Sequence, residues 1–307
     1  MAEDRRDARW WAKALTPPIV VIAVKGAARR LGLLATHAPP DAPAPVAPGE
    51  IPEWEHLPEG WRTNTQGWDD GTVADAYLAK WPEWVDALHG AAPLGINHEA
   101  RANEPIGRDD VAAHNMLLSF AYVVARAAHN RTSLSVLDWG GGLGHYALVA
   151  KAALPGIELD WHCREVPSVA RAGATVNPAV TFHTDAACLE REYDLVLASS
   201  SLQYEEDWAA LLRQLGSATR GFLLVTRVPI ALRSPSFVVL QRAYAYGYDT
   251  EYQGWVVSRD ELLAAAADGG LALERELLLD AWLSAAGAPE DPIGHRGFLF
   301  RPAAAGG

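Results

Sequence analysis

Cysteine and methionine are scarce in this 307-residue chain, with two of each, and basic side chains are outnumbered by acidic ones, 26 to 38. Cys163 and Cys188 show no C-x-x-C spacing. Neither a disulfide scaffold nor a cysteine-rich zinc site is therefore expected, and a reducing cytoplasm fits best. The formal net charge of −12 lacks the basic footprint that broad nucleic-acid binding needs, so no nucleic-acid partner is expected. Long apolar runs are missing as well. The aliphatic stretch Ile19 to Val24 ends at Lys25, far short of the ~20 residues that cross a membrane as a helix. Glu3, Asp4 and Asp7 occupy the place of a signal peptide's basic start, which speaks against secretion. The ten histidines are scattered without H-x-x-x-H spacing, and no metal site is expected.

What is present is a globular composition, half hydrophobic and 21% charged, arranged in four regions. Residues 1–34 carry seven basic and three acidic groups, against 19 and 35 in the remainder. The spacing from Pro18 to Leu34 predicts a basic amphipathic helix, which offers a docking element for an anionic membrane or a protein partner. Residues 35–50 hold five prolines and read as an extended linker. Residues 51–130 are rich in tryptophan, with Trp54, Trp61, Trp68, Trp81 and Trp84 close together, and read as a mainly helical cap. Thr72 is expected as one N-cap there, and Asp109-Asp110 opens a longer helix over 111–128.

From residue 131 the text alternates strand and helix. Strands are expected at 134–139, 159–164, 180–183, 195–198, 221–225, 271–279 and 297–300. Helices are expected at 144–153, 169–172, 205–215, 236–246 and 259–267. Seven strands in such alternation predict an α/β, Rossmann-like, doubly wound and mostly parallel sheet.

The most informative segment runs Val136-Leu-Asp-Trp-Gly-Gly-Gly-Leu-Gly-His-Tyr146. A strand enters a glycine-rich turn at its carboxyl end, where open sheets bind ligands, and a helix N-terminus follows with unpaired N–H groups. A dinucleotide fingerprint from Gly140 fails at His145, and only a shifted frame, Gly142-x-Gly144-x-x-Ala147, keeps a nicotinamide oxidoreductase open. Asp138-x-Gly140-x-Gly142-x-Gly144 instead resembles motif I of class I S-adenosylmethionine-dependent methyltransferases. The resemblance implies S-adenosylmethionine as cofactor and a turn of Asp138, Gly140, Gly141, Gly142 and Gly144 beside its methionyl part. It further implies that Glu165, ending the second strand, holds the ribose, that Asp185 meets the adenine, and that Ser199 and Tyr122 complete the set. Trp54-Glu-His-Leu-Pro-Glu-Gly-Trp61, the His114–Tyr122 helix, Ser199-Ser-Ser-Leu-Gln-Tyr204 and Tyr252-Gln-Gly-Trp255 are together similar to a narrower group. It is a little-characterised set of bacterial methyltransferases associated with surface-polysaccharide and natural-product gene clusters. Gln253 departs from its pattern, where proline is expected.

Methyl transfer needs an aligned nucleophile, and the acceptor decides whether a base is required. A carboxylate needs only an orienting cation, whereas a hydroxyl needs a base. His114, His145 and Glu205 are the candidate bases. Arg227, Arg101 and Arg108 are the candidate carboxylate clamps, and Tyr204 and Trp255 are expected against the acceptor. Because no base stands out, the reading leans to O-methylation of a carboxylate on a small molecule or peptide. Hydroxyl methylation of a glycan or glycosylated metabolite is the alternative, and a non-catalytic partner-binding module is a further one.

Overall fold

The computed structural model describes residues 51–62 and 67–303; the helix expected at 18–34 and the linker at 35–50 lie outside them. Among the described residues, ten strands form one sheet. Five parallel strands make its centre: β2 (Ser133–Trp139), β3 (Glu158–Arg164), β4 (Thr181–His183), β5 (Tyr193–Ser199) and β6 (Thr219–Ala231), in the order 4-3-2-5-6. Two antiparallel strands, β10 (Ile293–Pro302) and β9 (Leu271–Leu283), continue beyond β6. These seven are the Rossmann-like sheet expected from the alternation.

Three further strands were not expected. The last residues of β6, Ile230 and Ala231, also pair with β8 (Glu251–Ser258), which pairs antiparallel with β7 (Phe237–Arg242), and β7 pairs with β1 (Trp54–His56). The sheet therefore divides along the end of β6. β1 closes the division, since His56 N–H donates to Ala286 O and Ala286 N–H to Trp54 O, each at 2.9 Å, tying β1 to the β9–β10 loop.

The helix expected at 236–246 is thus corrected to β7 and a 3₁₀ turn at Tyr244–Tyr246. Phe237 to Gln241 are buried on both faces, so the run shows no alternation to mark it as a strand. The helix expected from Glu205 begins instead at Trp208, as α5 (Trp208–Ser217). A 3₁₀ turn takes Leu202–Tyr204, and Asp207 caps α5 by accepting from Ala210 N–H at 2.8 Å. Thr72 is likewise not a cap. Asp70 opens α1 (Gly71–Leu88) and accepts from Thr72 N–H, while Asp110 caps α2 (Val111–Ala127) as expected.

Alternate residues of the central strands face opposite layers, as a pleat requires. Leu195 and Leu197 pack with α2 and α3 (His145–Ala153), while Val196 and Ala198 pack with α5 and α6 (Arg259–Asp268). α2 thus shares the sheet's own core, although it falls before the boundary expected near residue 131. The parallel strands are locked at their amino ends by the buried Asp194. Its carboxylate accepts from Ser135 N–H and Oγ at 3.0 Å and from Arg220 Nε at 2.7 Å, and pairs with Arg131 at 2.8 Å. Despite burial, these donors hold its pKa down at about 2. Asp194→Ala is expected to cost about 3 kcal/mol, because it leaves buried donors unpaired; denaturant unfolding measures it. The depressed pKa gives stability that is present above the ordinary aspartate range and lost as pH falls through about 2.

Candidate active site

The carboxyl ends of β2, β3 and β5 converge on the glycine turn, beside the middle of β6, where Thr226 pairs with Ser199. Gly140 and Gly142 have φ of 71° and 60°, where side chains are strained. Space forbids side chains too: a Cβ at Gly140 would lie 2.4 Å from Ser201 Cβ, and one at Gly141 2.4 Å from Asp138 Cγ. Gly140 N–H donates to Arg164 O at 2.8 Å, and Ser201 Oγ to Trp139 O at 2.6 Å, so β3 and the end of β5 brace the turn. Gly144 precedes α3 at φ 81° and is held by Asn177, just past α4 (Pro167–Val176), whose Nδ2 donates to its carbonyl and that of Leu143 at 3.1 Å. Glu165 completes the frame. Its Oε1 accepts from Gly142 N–H at 2.9 Å and its Oε2 from Val166 N–H at 2.7 Å. Each oxygen keeps a lone pair for a further donor.

Two cavities meet here. The first, of about 280 Å³, is lined by the turn and by Glu165, Val166, Ser199, Tyr204, Glu205, Arg227, Trp61 and Trp68 among others. The second, of about 720 Å³, opens between the two branches of the divided sheet, with Glu53, Trp54 and Gln241 on one side and Trp282, Leu283 and His295 on the other. Of the residues expected from sequence, Gly140, Gly141, Gly142, His145, Glu165, Ser199, Tyr204, Glu205 and Arg227 line the first cavity, and Arg101 lines the second. Asp138 lies buried behind Gly141.

The rest stand apart. Asp185 is exposed and caps a 3₁₀ turn by accepting from Ala187 N–H at 3.0 Å. Tyr122, 39% exposed, accepts from Arg126 on the outer face of α2. Arg108 donates to Ala87 O at 3.3 Å, and neither it nor His114 lines either cavity. Trp255 stacks on Trp61 with ring centres 6.1 Å apart and meets the first cavity only through that ring.

Electrostatics separate the candidates. Asp138 is fully buried, neither carboxylate oxygen has a well-formed hydrogen bond, and burial with the nearby Glu165 charge outweighs the Trp161 indole and pushes its pKa up to about 8. His145 packs among Trp84, Trp81 and His98, with ring centres at 4.8, 5.0 and 4.4 Å. Burial holds it well below the ordinary histidine pKa. It is a neutral ring in a wall of rings. Arg227 is paired with Glu99, so the cation expected to clamp a carboxylate already has one. Burial also raises the phenols of Tyr77, Tyr204, Tyr248 and Tyr252, which stay protonated.

Sequence reading missed Glu99, His98, Arg164 and His295. Glu99 and His98 sit in an irregular polar loop between α1 and α2, which no periodicity marks. His295 lines the second cavity, where burial beside Arg227 lowers its pKa to about 4. Arg164, next to the expected Glu165, lies over the Trp139 ring at 4.5 Å.

A family model described as a methyltransferase domain matches residues 112–276. No curated protein matches. Among solved structures, the chain is similar to the CcbJ methyltransferase from Streptomyces caelestis, at 16% identity and TM-score 0.42, covering 76% of this chain and 100% of that one. It is also similar to the Burkholderia thailandensis 1,6-didemethyltoxoflavin-N1-methyltransferase, at 14% identity and TM-score 0.41, covering 64% and 80%. A third likeness is to an S-adenosylmethionine-dependent methyltransferase from Clostridium acetobutylicum, at 8% identity and TM-score 0.41, covering 60% and 90%.

Proposed function

The chain belongs to the methyltransferase-domain family, whose model spans more than half of it, and is an S-adenosylmethionine-dependent enzyme; from that premise we propose that it methylates a hydroxyl group on a ring-bearing small molecule. The first cavity fits the cofactor. Its glycine cradle leaves no room for a Cβ, the orphaned Asp138 carboxyl backs it, and Glu165 has lone pairs for a ribose diol. When bound, S-adenosylmethionine supplies an electrophilic methyl group on a sulfonium. Glu165 and the turn would hold it, and Trp61 and Trp68 help to exclude water. The nicotinamide reading of the shifted glycine frame is set aside by the family assignment.

The pairing of Arg227 with Glu99 carries the choice of acceptor. Sequence alone leaned towards a carboxylate, held by arginine. With Arg227 taken, the second cavity presents Glu53, Glu99 and Asp110 against Arg227 and Arg101, an unfavourable setting for another anion. Its aromatic walls, Trp54, Trp68, Tyr246, Tyr248, Tyr252 and Trp282, favour the flat face of a sugar or aromatic ring, with acids to accept hydroxyl protons. Methyl-ester formation keeps one supporting feature, Arg101.

Calorimetry with S-adenosylhomocysteine, followed by tritiated-methyl transfer into methyl glycosides, phenols and carboxylic acids, tests this reading. The expected product is a base-stable ether. A base-labile methyl ester would restore the carboxylate acceptor.

The finer likeness to the polysaccharide and natural-product group supports a place in such chemistry. Unpaired Cys163 and Cys188 support a cytoplasmic setting, and among the described residues no helix is long and apolar enough to cross a membrane. The basic stretch 1–34 remains our candidate docking element, on its charge alone.

A further inference from the structure

We infer that Glu99 is the general base of the transfer, taking the acceptor's hydroxyl proton at the neck between the two cavities; the inference rests on the hydroxyl reading above. The cavities share six lining residues, Trp68, Glu99, Ser200, Tyr204, Arg227 and Tyr252. A methyl group passing from a donor in one cavity to an acceptor in the other crosses between these side chains. Trp68 has no basic atom, and Arg227 is permanently protonated. Ser200 is a neutral alcohol, and burial keeps the phenols of Tyr204 and Tyr252 protonated. Glu99 is the one member of the neck that can hold an added proton. His98 and His145 line the first cavity without the second, and His295 the second without the first.

The carboxylate is held in place. Glu99 N–H donates to Asn97 Oδ1 at 3.0 Å, the Lys80 ammonium donates to the next carbonyl, Ala100 O, and Arg227 pairs with the Glu99 side chain, which is 20% exposed. A carboxylate is a weak base, but this reaction makes its task easier. As the acceptor oxygen forms its bond to the methyl carbon, the carbon–sulfur bond breaks and its electron pair stays on sulfur. The oxygen gains positive character, so its proton becomes strongly acidic and passes to a Glu99 oxygen, and from there to water.

Two probes test this on the full chain. In enzyme saturated with S-adenosylhomocysteine, para-nitrophenol is titrated by its yellow phenolate band. With the methyl donor absent, the Glu99 carboxylate should accept a hydrogen bond from the bound phenol and repel its phenolate, so Glu99→Gln is expected to make the bound phenol about tenfold easier to ionise. With S-adenosylmethionine and phenol at about pH 8, where phenol, like tyrosine, is protonated, Glu99→Gln should slow methylation about a hundredfold. S-adenosylhomocysteine affinity should stay within about twofold, since no ribose or turn contact is removed. The variant leaves Arg227 unpaired. The double variant Glu99→Gln/Arg227→Gln removes both charges, and it should show the same loss if the single one folds poorly.

Identical para-nitrophenol titrations in wild type and variant, or undiminished phenol methylation, would overturn the assignment. A wild type that binds S-adenosylhomocysteine and methylates acids but no hydroxyl would overturn the hydroxyl reading, and this inference with it.

Discussion

Glu165→Ala is expected to weaken S-adenosylhomocysteine binding by at least about a hundredfold, the sum of two lost hydrogen bonds to a charged acceptor at ~1.5 kcal/mol each. The residue does two jobs with one carboxylate. Its oxygens fix Gly142 and Val166 through their N–H groups at 2.9 and 2.7 Å, and their remaining lone pairs face the cavity the ribose would enter. Removing the side chain therefore loses the diol's acceptor and also frees the middle of the glycine turn. Glu165→Gln separates the two effects. An amide offers one acceptor oxygen instead of two and no charge, so about a tenfold loss is expected. Isothermal calorimetry measures both variants, and circular dichroism shows that the sheet persists. Undiminished affinity in Glu165→Ala would move the ribose to another acceptor and leave Glu165 as a brace for the turn.

The parts of this site that were legible in the sequence are those written in consecutive residues. An apolar strand running into Asp138 and four glycines is local, and the reason for the glycines, close approach by Ser201, Asp138 and Asn177, holds wherever such a turn is built. Glu165 was legible because a parallel strand places the residue that follows its end beside the turn. Glu99 was not. It lies 128 residues from Arg227, on a loop whose course is set by tertiary contacts such as Ala102 N–H to Ala245 O at 2.8 Å. Arg227 was found because the strand expected at 221–225 stops just before it, although β6 runs on to Ala231; its pairing was invisible, and that pairing is what we weigh against a carboxylate clamp. The divided sheet was hidden for a related reason. β7 is buried on both faces, so its pattern carried no period, and helix and strand could not be told apart. Tyr122 and Asp185 were assigned by family position alone, and both side chains lie outside the two cavities, facing solvent.

Asp138→Asn is expected to stabilise the ligand-free fold at neutral and alkaline pH while it impairs the site. Asp138 is completely buried without a well-formed hydrogen bond, only the Trp161 indole favouring its charge, and its pKa of about 8 stands far above the 3.8 of a free aspartate. Between those values the folded chain holds a proton that the unfolded chain releases. Stability therefore falls as pH rises from about 4 to about 8, by an amount of order 5 kcal/mol. Asparagine has no proton to lose, so this slope should disappear. At about pH 8 the variant should melt roughly 10 °C above wild type, and at about pH 4 the two should converge. S-adenosylhomocysteine should raise the melting temperature less in the variant, because a bound ligand or its water can pair with a carboxylate that the free protein leaves with the Trp161 indole alone. Thermal melts across pH, with and without that ligand, read both effects. If Asp138→Asn kept the wild-type slope, the titrating group would be Glu165, whose pKa burial raises in the same direction. The orphaned aspartate would then owe its place to packing against Gly141. If the slope vanishes and the ligand effect shrinks together, the buried acid is a cost in stability that the fold bears for its ligand.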